Sequence, residues 1–216
     1  MTDNCTEIEL TADGSPTLYL PGIDEHYHSV KGAVTESRHV YIDCSLRHRS
    51  ATIMAGETIR VLEIGYGTGL NAALTAEAQC GKVHYISLEL HPLSPAAVPD
   101  YGVEILSRLN DAAWDKPVEI TPTFTLEKRK ADFLTARLPQ RIDVVYFDAF
   151  APEKQPEMWS DNALRRVVEA MNPNAVLTTY CAKGVIRRRL QSLGLTVERL
   201  PGPPAGKREI LRATKP

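Results

Sequence analysis

From about residue 57 onward, short apolar runs alternate with amphipathic runs along the chain. This alternation is typical of β-α-β units and predicts an α/β fold with a mostly parallel, doubly wound sheet. Strands are predicted at 59–64, 83–90, 119–127, 142–147 and 175–180, and helices at 70–80 and 184–193. Gly194 suits the left-handed conformation just past the end of the last helix.

A further amphipathic helix is predicted after the fourth strand. Ser160 is a suitable N-cap, and one buried stripe follows it at helical spacing: Leu164, Val167, Val168 and Met171. The run Asn172-Pro173-Asn174 is expected to end this helix.

The last two apolar runs, 195–200 and 208–213, are separated by PGPPAGK. This connection is too short for the crossover helix of a parallel pair, so an antiparallel hairpin is predicted. Rossmann-like class I methyltransferases end their sheet in such a pair, which dinucleotide-binding domains do not need. Residues 1–56 are predicted as a small appendage on the substrate side, with a strand at 17–20 and partial helix within 32–49, and residues 57–216 as the main domain.

The segment VLEIGYGTGLNAA, residues 61–73, combines a buried strand, a glycine-rich turn and a helix start. Gly65, Gly67 and Gly69 allow close approach of a ligand to the backbone, and the following helix points N–H groups toward it. The turn fits both the dinucleotide fingerprint and the turn of S-adenosylmethionine enzymes, so it does not decide between these cofactors. Glu63 is placed to orient the loop or to receive a ligand ammonium group.

Two later carboxylates are candidate cofactor ligands. Glu89 ends the second strand 20 residues after Gly69, which suits a ribose hydroxyl pair of either cofactor. Asp132 is placed to accept a hydrogen bond from an adenine amino group, or equally to cap the turn before Phe133.

Asp148 stands at the carboxyl end of the fourth strand in RIDVVYFDAFAPEKQPEMW, residues 141–159. This position lies beside the ligand-binding crevice of an open α/β sheet. With Phe150 as an aromatic wall and Pro152 in a stiff loop, the carboxylate is suited to hold and deprotonate an amine. A simple capping role for Asp148 is the weaker alternative.

The segments EIGYGTGLNA, YFDAFAPEKQPEMW, TTYCAKGVIRRRLQSLG and GKREIL together resemble the methyltransferase of the MnmC/MnmD group. The resemblance runs from about Tyr27 to about Arg212. It implies a class I methyltransferase that uses S-adenosylmethionine to convert 5-aminomethyl-(2-thio)uridine at tRNA wobble position 34 to the 5-methylaminomethyl form. Bifunctional relatives carry a fused flavin oxidase domain, and we expect the stand-alone form here.

The resemblance also assigns roles to residues. It implies Gly65, Gly67 and Gly69 at the methionine end of the cofactor, Glu89 on its ribose, Asp132 near adenine and Asp148 beside the substrate amine. Glu63, Asn71 and Asp148 are also expected to bind the cofactor, and Phe150 and Pro152 are expected to act with Asp148 in catalysis. One departure from the family is Gly202-Pro203-Pro204-Ala205-Gly206, which replaces a glycine-rich approach to the KRE run and makes a stiffer loop. Two rival functions remain at this point: a small-molecule amine N-methyltransferase or polyamine-type transferase, and a nucleic-acid-binding module without catalysis.

The formal charge of −2 gives no overall attraction to nucleic acid, so any tRNA contact requires a local patch. Three basic groups are candidates for contacting the anticodon stem–loop: Lys128-Arg129-Lys130, Lys183 with Arg187-Arg188-Arg189, and Lys207-Arg208 with Arg212. At helical spacing the three arginines 187–189 cannot share one face, so at least one is expected to be structural or solvated. Tyr27, Phe150 and Trp159 are candidate stacking surfaces for the base, although core burial explains Trp159 nearly as well.

The four cysteines, Cys5, Cys44, Cys80 and Cys181, lack C-x-x-C spacing and are interpreted as reduced structural thiols. His26 and His28 have no matched distant ligands, so no metal is assigned. The polar amino terminus and the absence of a long apolar run predict a cytoplasmic protein without a membrane span. Upstream wobble-uridine modification enzymes are implied as partners on the same tRNA, and the sequence does not indicate an oligomeric state.

Overall fold

The computed structural model describes residues 6–216, so Cys5 lies outside the described residues. Two sheets are present in this part of the chain. The smaller has the order β1-β2-β3, and the larger has the order β10-β11-β9-β8-β4-β5-β7-β6. The strands are β1 (Glu7–Leu10), β2 (Pro16–Leu20), β3 (Glu25–His26), β4 (Thr58–Ile64), β5 (Lys82–Glu89), β6 (Pro117–Thr121), β7 (Phe124–Lys130), β8 (Ile142–Phe147), β9 (Met171–Thr179), β10 (Thr196–Pro201) and β11 (Glu209–Thr214).

In the large sheet, β9, β8, β4, β5 and β7 run parallel, while β6 and β11 pair antiparallel with their inner neighbours. The predicted α/β fold with a mostly parallel sheet is therefore confirmed. The terminal hairpin is also confirmed, because β10 and β11 pair antiparallel from Thr196 opposite Thr214 to Pro201 opposite Glu209.

Helices cover both faces of this sheet. They are α1 (Ala33–Ser37), α2 (His48–Ser50), α3 (Leu70–Glu77), α4 (Leu106–Asp111), α5 (Asp161–Ala170) and α6 (Gly184–Ser192). A π-helical segment, Arg38–Arg47, joins α1 to α2 without a break. None of the helices in residues 6–216 combines the length and hydrophobicity that crossing a membrane requires.

The central strand β8 is buried along its whole length and supplies both cores. Val144 and Tyr146 pack on the face covered by α3 and the helix at 33–50, whereas Val145 and Phe147 pack on the face covered by α5 and α6. This division follows from the two-residue repeat of a strand, because successive side chains point to opposite faces. A strand buried on both faces reads as a continuous apolar run, which is why residues 142–147 are easily predicted.

The predicted third strand, 119–127, is wrong as a single element. The chain instead forms β6 and β7, which pair antiparallel with Thr121 opposite Phe124. Pro122 lacks the N–H of a ladder position, and the Thr121 hydroxyl accepts the Thr123 N–H at 3.3 Å to close the turn.

The helix after Ser160 ends earlier than predicted. The Ser160 hydroxyl caps α5 by accepting the Ala163 N–H at 3.2 Å, as predicted, but α5 stops at Ala170 and Met171 begins β9. Met171 is buried from the strand instead of from the helical stripe. The register of β9 against β8 shifts between Ile142 and Val144, and Asn174 adopts a φ of 62° there. This irregularity accommodates Pro173 within a strand.

Within the described part of the predicted appendage, residues 6–56, the strands and the helix pack in different places. The predicted strand at 17–20 is confirmed within β2, and the small sheet lies apart from the large one. The helix at 33–50, however, buries Val40, Tyr41 and Leu46 in the same core as β4 and β8. The helical half therefore packs with the main domain, while the region of the small sheet borders both cavities, with Leu20 in the lining of one and His26 in the lining of the other.

Candidate active site

The glycine turn connects β4 to α3 at the carboxyl edge of the parallel strands. Gly67 and Gly69 adopt φ values of +53° and +82°, a region that L side chains rarely occupy. A Cβ on Gly67 would lie 3.1 Å from the Tyr27 ring, and one on Gly69 would lie 2.6 Å from the Tyr66 hydroxyl oxygen. The turn therefore requires glycine at both positions.

A cavity of about 1150 Å³, which we call the cofactor cavity, opens beside this turn. Its lining includes most of the residues predicted to bind the cofactor: Gly65, Gly67, Asn71, Glu89, Asp132 and Asp148. They come from the ends of several neighbouring strands, where open α/β sheets bind ligands. The volume exceeds the usual range for small-ligand sites, so a nucleoside joined to an amino acid can be accommodated.

Asn71 provides a specific sign that this cavity suits a ligand with an ammonium group. The residue is 3% exposed, and its Oδ1 atom is buried without a hydrogen-bond partner. Its Nδ2 group donates to Glu63 at 3.0 Å and to Asp148 at 2.8 Å, which fixes Oδ1 as the free acceptor. A buried acceptor without a donor is costly, so it suits the amino group of an S-adenosylmethionine-like ligand.

Glu89 and Asp132 line the cofactor cavity but also hold the backbone. The Glu89 carboxylate accepts the Gly67 N–H at 3.1 Å and the His91 N–H at 2.8 Å, which ties the end of β5 to the glycine turn. Asp132 accepts the Leu134 N–H at 2.8 Å. The capping interpretation of Asp132 is thus observed, and its contact with adenine stays a prediction.

Glu63 lies beneath the cavity. It is fully buried, it is not among the lining residues, and it accepts hydrogen bonds from Asn71 and from the Ser87 hydroxyl at 2.8 Å. Burial raises the pKa of Glu63 to about 8, although these hydrogen bonds oppose the rise. The geometry favours its orienting role over direct contact with a ligand.

Asp148 lies where two cavities meet. Its Oδ1 atom accepts the Tyr41 hydroxyl at 2.5 Å and its Oδ2 atom accepts the Asn71 amide, so the carboxylate is held from both sides. Burial raises the pKa of Asp148 to about 6, while the hydrogen bonds from Tyr41 and Asn71 oppose the rise. A carboxylate with this pKa is mostly ionised at neutral pH and can accept a proton.

The second cavity, of about 620 Å³, is called the acceptor cavity here. Phe150 and Pro152 both line it, as expected, and Phe150 packs edge-on against Tyr27 with ring centroids 5.4 Å apart. The Tyr180 hydroxyl donates to the Ala149 carbonyl at 2.8 Å, which fixes the loop that follows Asp148.

Trp159 does not provide a stacking surface. It is fully buried, and its Nε1 group donates to the Phe150 carbonyl at 2.8 Å. The core alternative is therefore correct, and Trp159 supports the loop from behind.

The basic groups separate into structural and exposed members. Lys128 is 1% exposed, lies over the Tyr66 and Trp114 rings and donates to the Asn110 carbonyl, so its assignment to a phosphate track is wrong. Burial lowers the pKa of Lys128 to about 8. Arg189 bonds the Trp159 carbonyl at 2.7 Å.

Arg212 is also held within the protein, because its guanidinium pairs with Glu198 at 3.0 Å. Lys183 contacts Glu153 at the rim of the acceptor cavity. Arg188 and Arg208 are exposed and appear in no ion pair of the described residues. Lys130 is also exposed and in none of these ion pairs, but it lines the cofactor cavity, so Arg188 and Arg208 are the strongest remaining candidates for phosphate contact.

Sequence reasoning missed Tyr41, Tyr180 and Glu36, which all border the acceptor cavity. Of the two histidines, His26 contacts Glu9 and His28 bonds the Thr68 hydroxyl of the glycine turn at 2.8 Å. Within residues 6–216, no group of three or more His, Cys, Asp or Glu side chains is arranged to hold a metal ion.

Comparison with known proteins agrees with this geometry. Residues 119–216 match a family described as S-adenosyl-L-methionine-dependent methyltransferase. The chain is similar to the tRNA 5-methylaminomethyl-2-thiouridine biosynthesis bifunctional protein MnmC, with 30% identity to that of Cupriavidus necator over 89% of this chain and 32% identity to that of Pseudomonas fluorescens over 88%. It covers 32% of each of these two relatives, so it spans about a third of their length.

Solved structures extend the comparison. MNMC2 from Aquifex aeolicus superimposes with a TM-score of 0.83 at 25% identity, covering 100% of this chain and 72% of that one. Spermidine synthase from Thermotoga maritima, at 13% identity and a TM-score of 0.60 over 99% of this chain and 80% of that one, shares the fold alone. These comparisons show a class I methyltransferase fold similar to that of the MnmC enzymes, and the matched family favours S-adenosylmethionine over a dinucleotide as the cofactor of the glycine turn.

Proposed function

We propose that this S-adenosylmethionine-dependent methyltransferase N-methylates the aminomethyl group of 5-aminomethyl-(2-thio)uridine at tRNA wobble position 34. The product is the 5-methylaminomethyl form. The observation that carries the proposal is the position of Asp148, which borders both the cofactor cavity and the acceptor cavity. Names of the similar proteins support tRNA as the substrate, and such a substrate implies a cytoplasmic enzyme.

The cofactor contacts proposed here follow the lining of the cofactor cavity. Gly65, Gly67 and Asn71 would hold the methionine end, with Gly69 and Glu63 supporting the turn from behind. Glu89 would bond the ribose and Asp132 would lie near adenine. When bound, S-adenosylmethionine would supply an electrophilic methyl group for transfer to an acceptor.

Asp148 prepares the amine in this proposal. An alkylamine has a solution pKa of roughly 10.4, so it arrives mostly as ammonium and carries no free lone pair. Each oxygen of Asp148 already accepts one hydrogen bond, from Tyr41 or from Asn71, and retains capacity for a second. The carboxylate accepts an N–H of the amine, takes the proton, and leaves the lone pair aligned toward the methyl group.

We expect the residues at the rim of the acceptor cavity to contact the tRNA. Tyr27 and Phe150 offer aromatic surface to a base that leaves the anticodon loop, because single-stranded RNA is recognised by stacking of unpaired bases. Arg208 borders the same cavity and Arg188 lies on α6, where each can meet a phosphate of the anticodon stem–loop. An enzyme that installs or unmasks the aminomethyl group must act on the same tRNA first.

The proposal is tested by incubating the protein with S-adenosylmethionine and tRNA that carries the aminomethyl nucleoside, followed by nucleoside mass spectrometry. We expect conversion of the aminomethyl nucleoside to the methylaminomethyl nucleoside. Asp148→Ala should lower turnover by roughly 10²–10⁴-fold with cofactor binding retained, the range for loss of a positioned acid–base group. Asp148→Asn should be nearly as poor where proton acceptance matters and milder where Asp148 only orients the amine.

Asp100→Asn is the matched control, because Asp100 lies outside both cavities and caps Gly102. Its turnover should equal that of the unchanged protein. Methylation of putrescine or another free amine with no change in tRNA would instead identify a small-molecule transferase. Cofactor binding without transfer to either acceptor would leave only a binding module.

A further inference from the structure

Three carboxylates line the acceptor cavity besides Asp148, namely Glu25, Glu36 and Glu209, and Glu36 is the most buried of the three. Glu36, on helix α1, is 8% exposed as a whole residue and lines this cavity. Its Oε1 atom is buried and makes no hydrogen bond. A buried carboxylate oxygen without a hydrogen bond is costly, so this atom is suited to receive a cation or donor inside the cavity.

One cation already lies there. The Lys207 ammonium nitrogen is 3.4 Å from Glu36 Oε1, an ion pair without hydrogen-bond geometry. The same nitrogen lies 3.7 Å from the centroid of the Tyr180 ring. Glu36 and Tyr180 thus form two sides of a cation subsite, defined by a carboxylate and an aromatic face.

Glu36 and Tyr180 are held in place, whereas Lys207, which occupies the subsite between them, comes from a loop. Glu36 is fixed on a packed helix, and the Tyr180 hydroxyl is committed to the Ala149 carbonyl, which leaves the ring face directed at the cavity. Lys207 comes from the loop between β10 and β11, and its side chain is 43% exposed. A lysine on a flexible stem can leave such a site without disturbing its walls.

We propose that Glu36 and Tyr180 form the subsite that receives the protonated amine of the substrate, and that Lys207 occupies this subsite until the substrate displaces it. Lys207 and an aminomethyl nucleoside carry the same group, a primary alkylammonium. After displacement, the substrate ammonium lies in the cavity that Asp148 also lines, and Asp148 accepts its proton for transfer. This inference rests on the proposed function, because it specifies how the same site selects an amine.

The test compares two nucleosides that differ only in the amine. 5-Aminomethyluridine and 5-hydroxymethyluridine are measured as inhibitors of tRNA methylation at pH 7, and the ratio of their inhibition constants isolates the contribution of the ammonium. The unchanged protein should prefer the aminomethyl nucleoside by about tenfold, a typical size for a cation–π contact combined with a partly desolvated ion pair. Methylation of tRNA by the unchanged protein tests the proposed function separately.

Variants at the subsite should move this ratio in opposite directions. Glu36→Gln should bring the ratio close to one, because the carboxylate side of the subsite is lost. Lys207→Met should increase the preference about threefold or more, because the aminomethyl nucleoside no longer has to displace an ammonium. Tyr180→Phe retains the ring face and should preserve the ratio, whereas Tyr180→Leu should reduce it.

Lys183→Met is the matched control, because Lys183 lines the same cavity but pairs with Glu153 and not with Glu36. It should leave the ratio unchanged. The inference is overturned when tRNA methylation is intact in the unchanged protein but the two nucleosides inhibit equally or not at all. It is also overturned when Lys207→Met weakens inhibition by the aminomethyl nucleoside, since Lys207 then contributes to binding instead of competing.

Discussion

Tyr41→Phe should shift the pH dependence of methyl transfer while leaving the cavities intact. The Tyr41 hydroxyl donates to Asp148 Oδ1 at 2.5 Å, and this hydrogen bond opposes the effect of burial on the pKa of Asp148, which is about 6. A hydrogen bond to a charged group contributes about 1.5–3 kcal/mol. At 1.36 kcal/mol per pH unit, its loss should raise the pKa of Asp148 by about one to two units, to roughly 7–8.

With this higher pKa of Asp148, kcat/KM of the variant should fall at neutral pH and recover at alkaline pH. At pH 7 the ionised fraction of Asp148 should fall from about nine-tenths to between about a half and a tenth, which lowers kcat/KM by roughly two- to tenfold. Around pH 9 the variant should approach the unchanged protein. The assay is kcat/KM for methylation of aminomethyl-containing tRNA from pH 5 to pH 9.5, with S-adenosylmethionine affinity measured by calorimetry at each end.

Tyr146→Phe is the appropriate control for Tyr41→Phe. Tyr146 is also buried and packs beside Tyr41 with ring centroids 5.0 Å apart, but its hydroxyl pairs with Thr75 and not with Asp148. The acidic limb of its kcat/KM–pH profile should coincide with that of the unchanged protein. An acidic limb that stays in place in Tyr41→Phe, or moves to lower pH, would refute the reasoning that Tyr41 stabilises the ionised carboxylate.

Four further variants test the buried carboxylate, the glycine turn with its control, and the proposed tRNA surface. The pKa of Glu63 is raised to about 8 in the folded protein, so between about pH 5 and pH 8 unfolding releases a proton and the free energy of unfolding falls as the pH rises. Glu63→Gln should remove this contribution and flatten the fall. Chemical denaturation at several pH values measures the slope, which should change by up to about 1.4 kcal/mol per pH unit. Gly67→Val should weaken S-adenosylmethionine binding at least tenfold in calorimetry by pressing on Tyr27. Gly102→Ala is the control, because Gly102 also has a positive φ, +69°, but an added Cβ would meet no atom within 4 Å. It should cost only about 1 kcal/mol of stability and leave cofactor affinity unchanged. Equal binding losses in both glycine variants would contradict the steric argument. Arg188→Ala should reduce the salt dependence of tRNA binding by about one unit of log–log slope without loss of stability, and an unchanged slope would place the phosphate contacts elsewhere.

The parts of the site that follow hydrophobic strands were predictable. Gly65 and Asp148 directly follow strands and Glu89 is the last residue of one, and the carboxyl ends of parallel strands converge on one edge of a sheet. Strand prediction therefore implies that these residues lie together, even though they are far apart in sequence. The chemistry of each residue type then indicates a nucleoside-containing ligand and an acceptor carboxylate.

The parts contributed by the helix at 33–50 were not predictable. Tyr41 lies 107 positions before Asp148, and Glu36 lies 171 positions before Lys207 in the sequence. Neither belongs to a glycine turn, a strand end or a charged run, so no local pattern marks it. Their roles come from how this helix packs against β8 and β9, which is a tertiary property.

The basic runs show how a local pattern misleads when the secondary structure is ignored. Lys128-Arg129-Lys130 reads as a solvated cluster, but in β7 alternate residues share a face, so Lys128 points with the buried Leu126 into the core. Its pKa is lowered to about 8 by burial, and it retains contacts with two aromatic rings and a carbonyl that compensate an ammonium group there. Applying the two-residue alternation of strand side chains to residues 124–130 would have predicted that Lys128 is buried.

The same reasoning applies to α6 and determines where the tRNA surface should be sought. Arginines 187–189 point in different directions around a helix, and Arg189 bonds the Trp159 carbonyl and pairs with Asp161, so it supports the loop that carries Phe150. Arg189→Ala should consequently lower stability and turnover together, whereas Arg188→Ala should affect tRNA affinity alone. A triple replacement of this run would mix the two effects, so single variants with stability measured in parallel are required to locate the phosphate contacts.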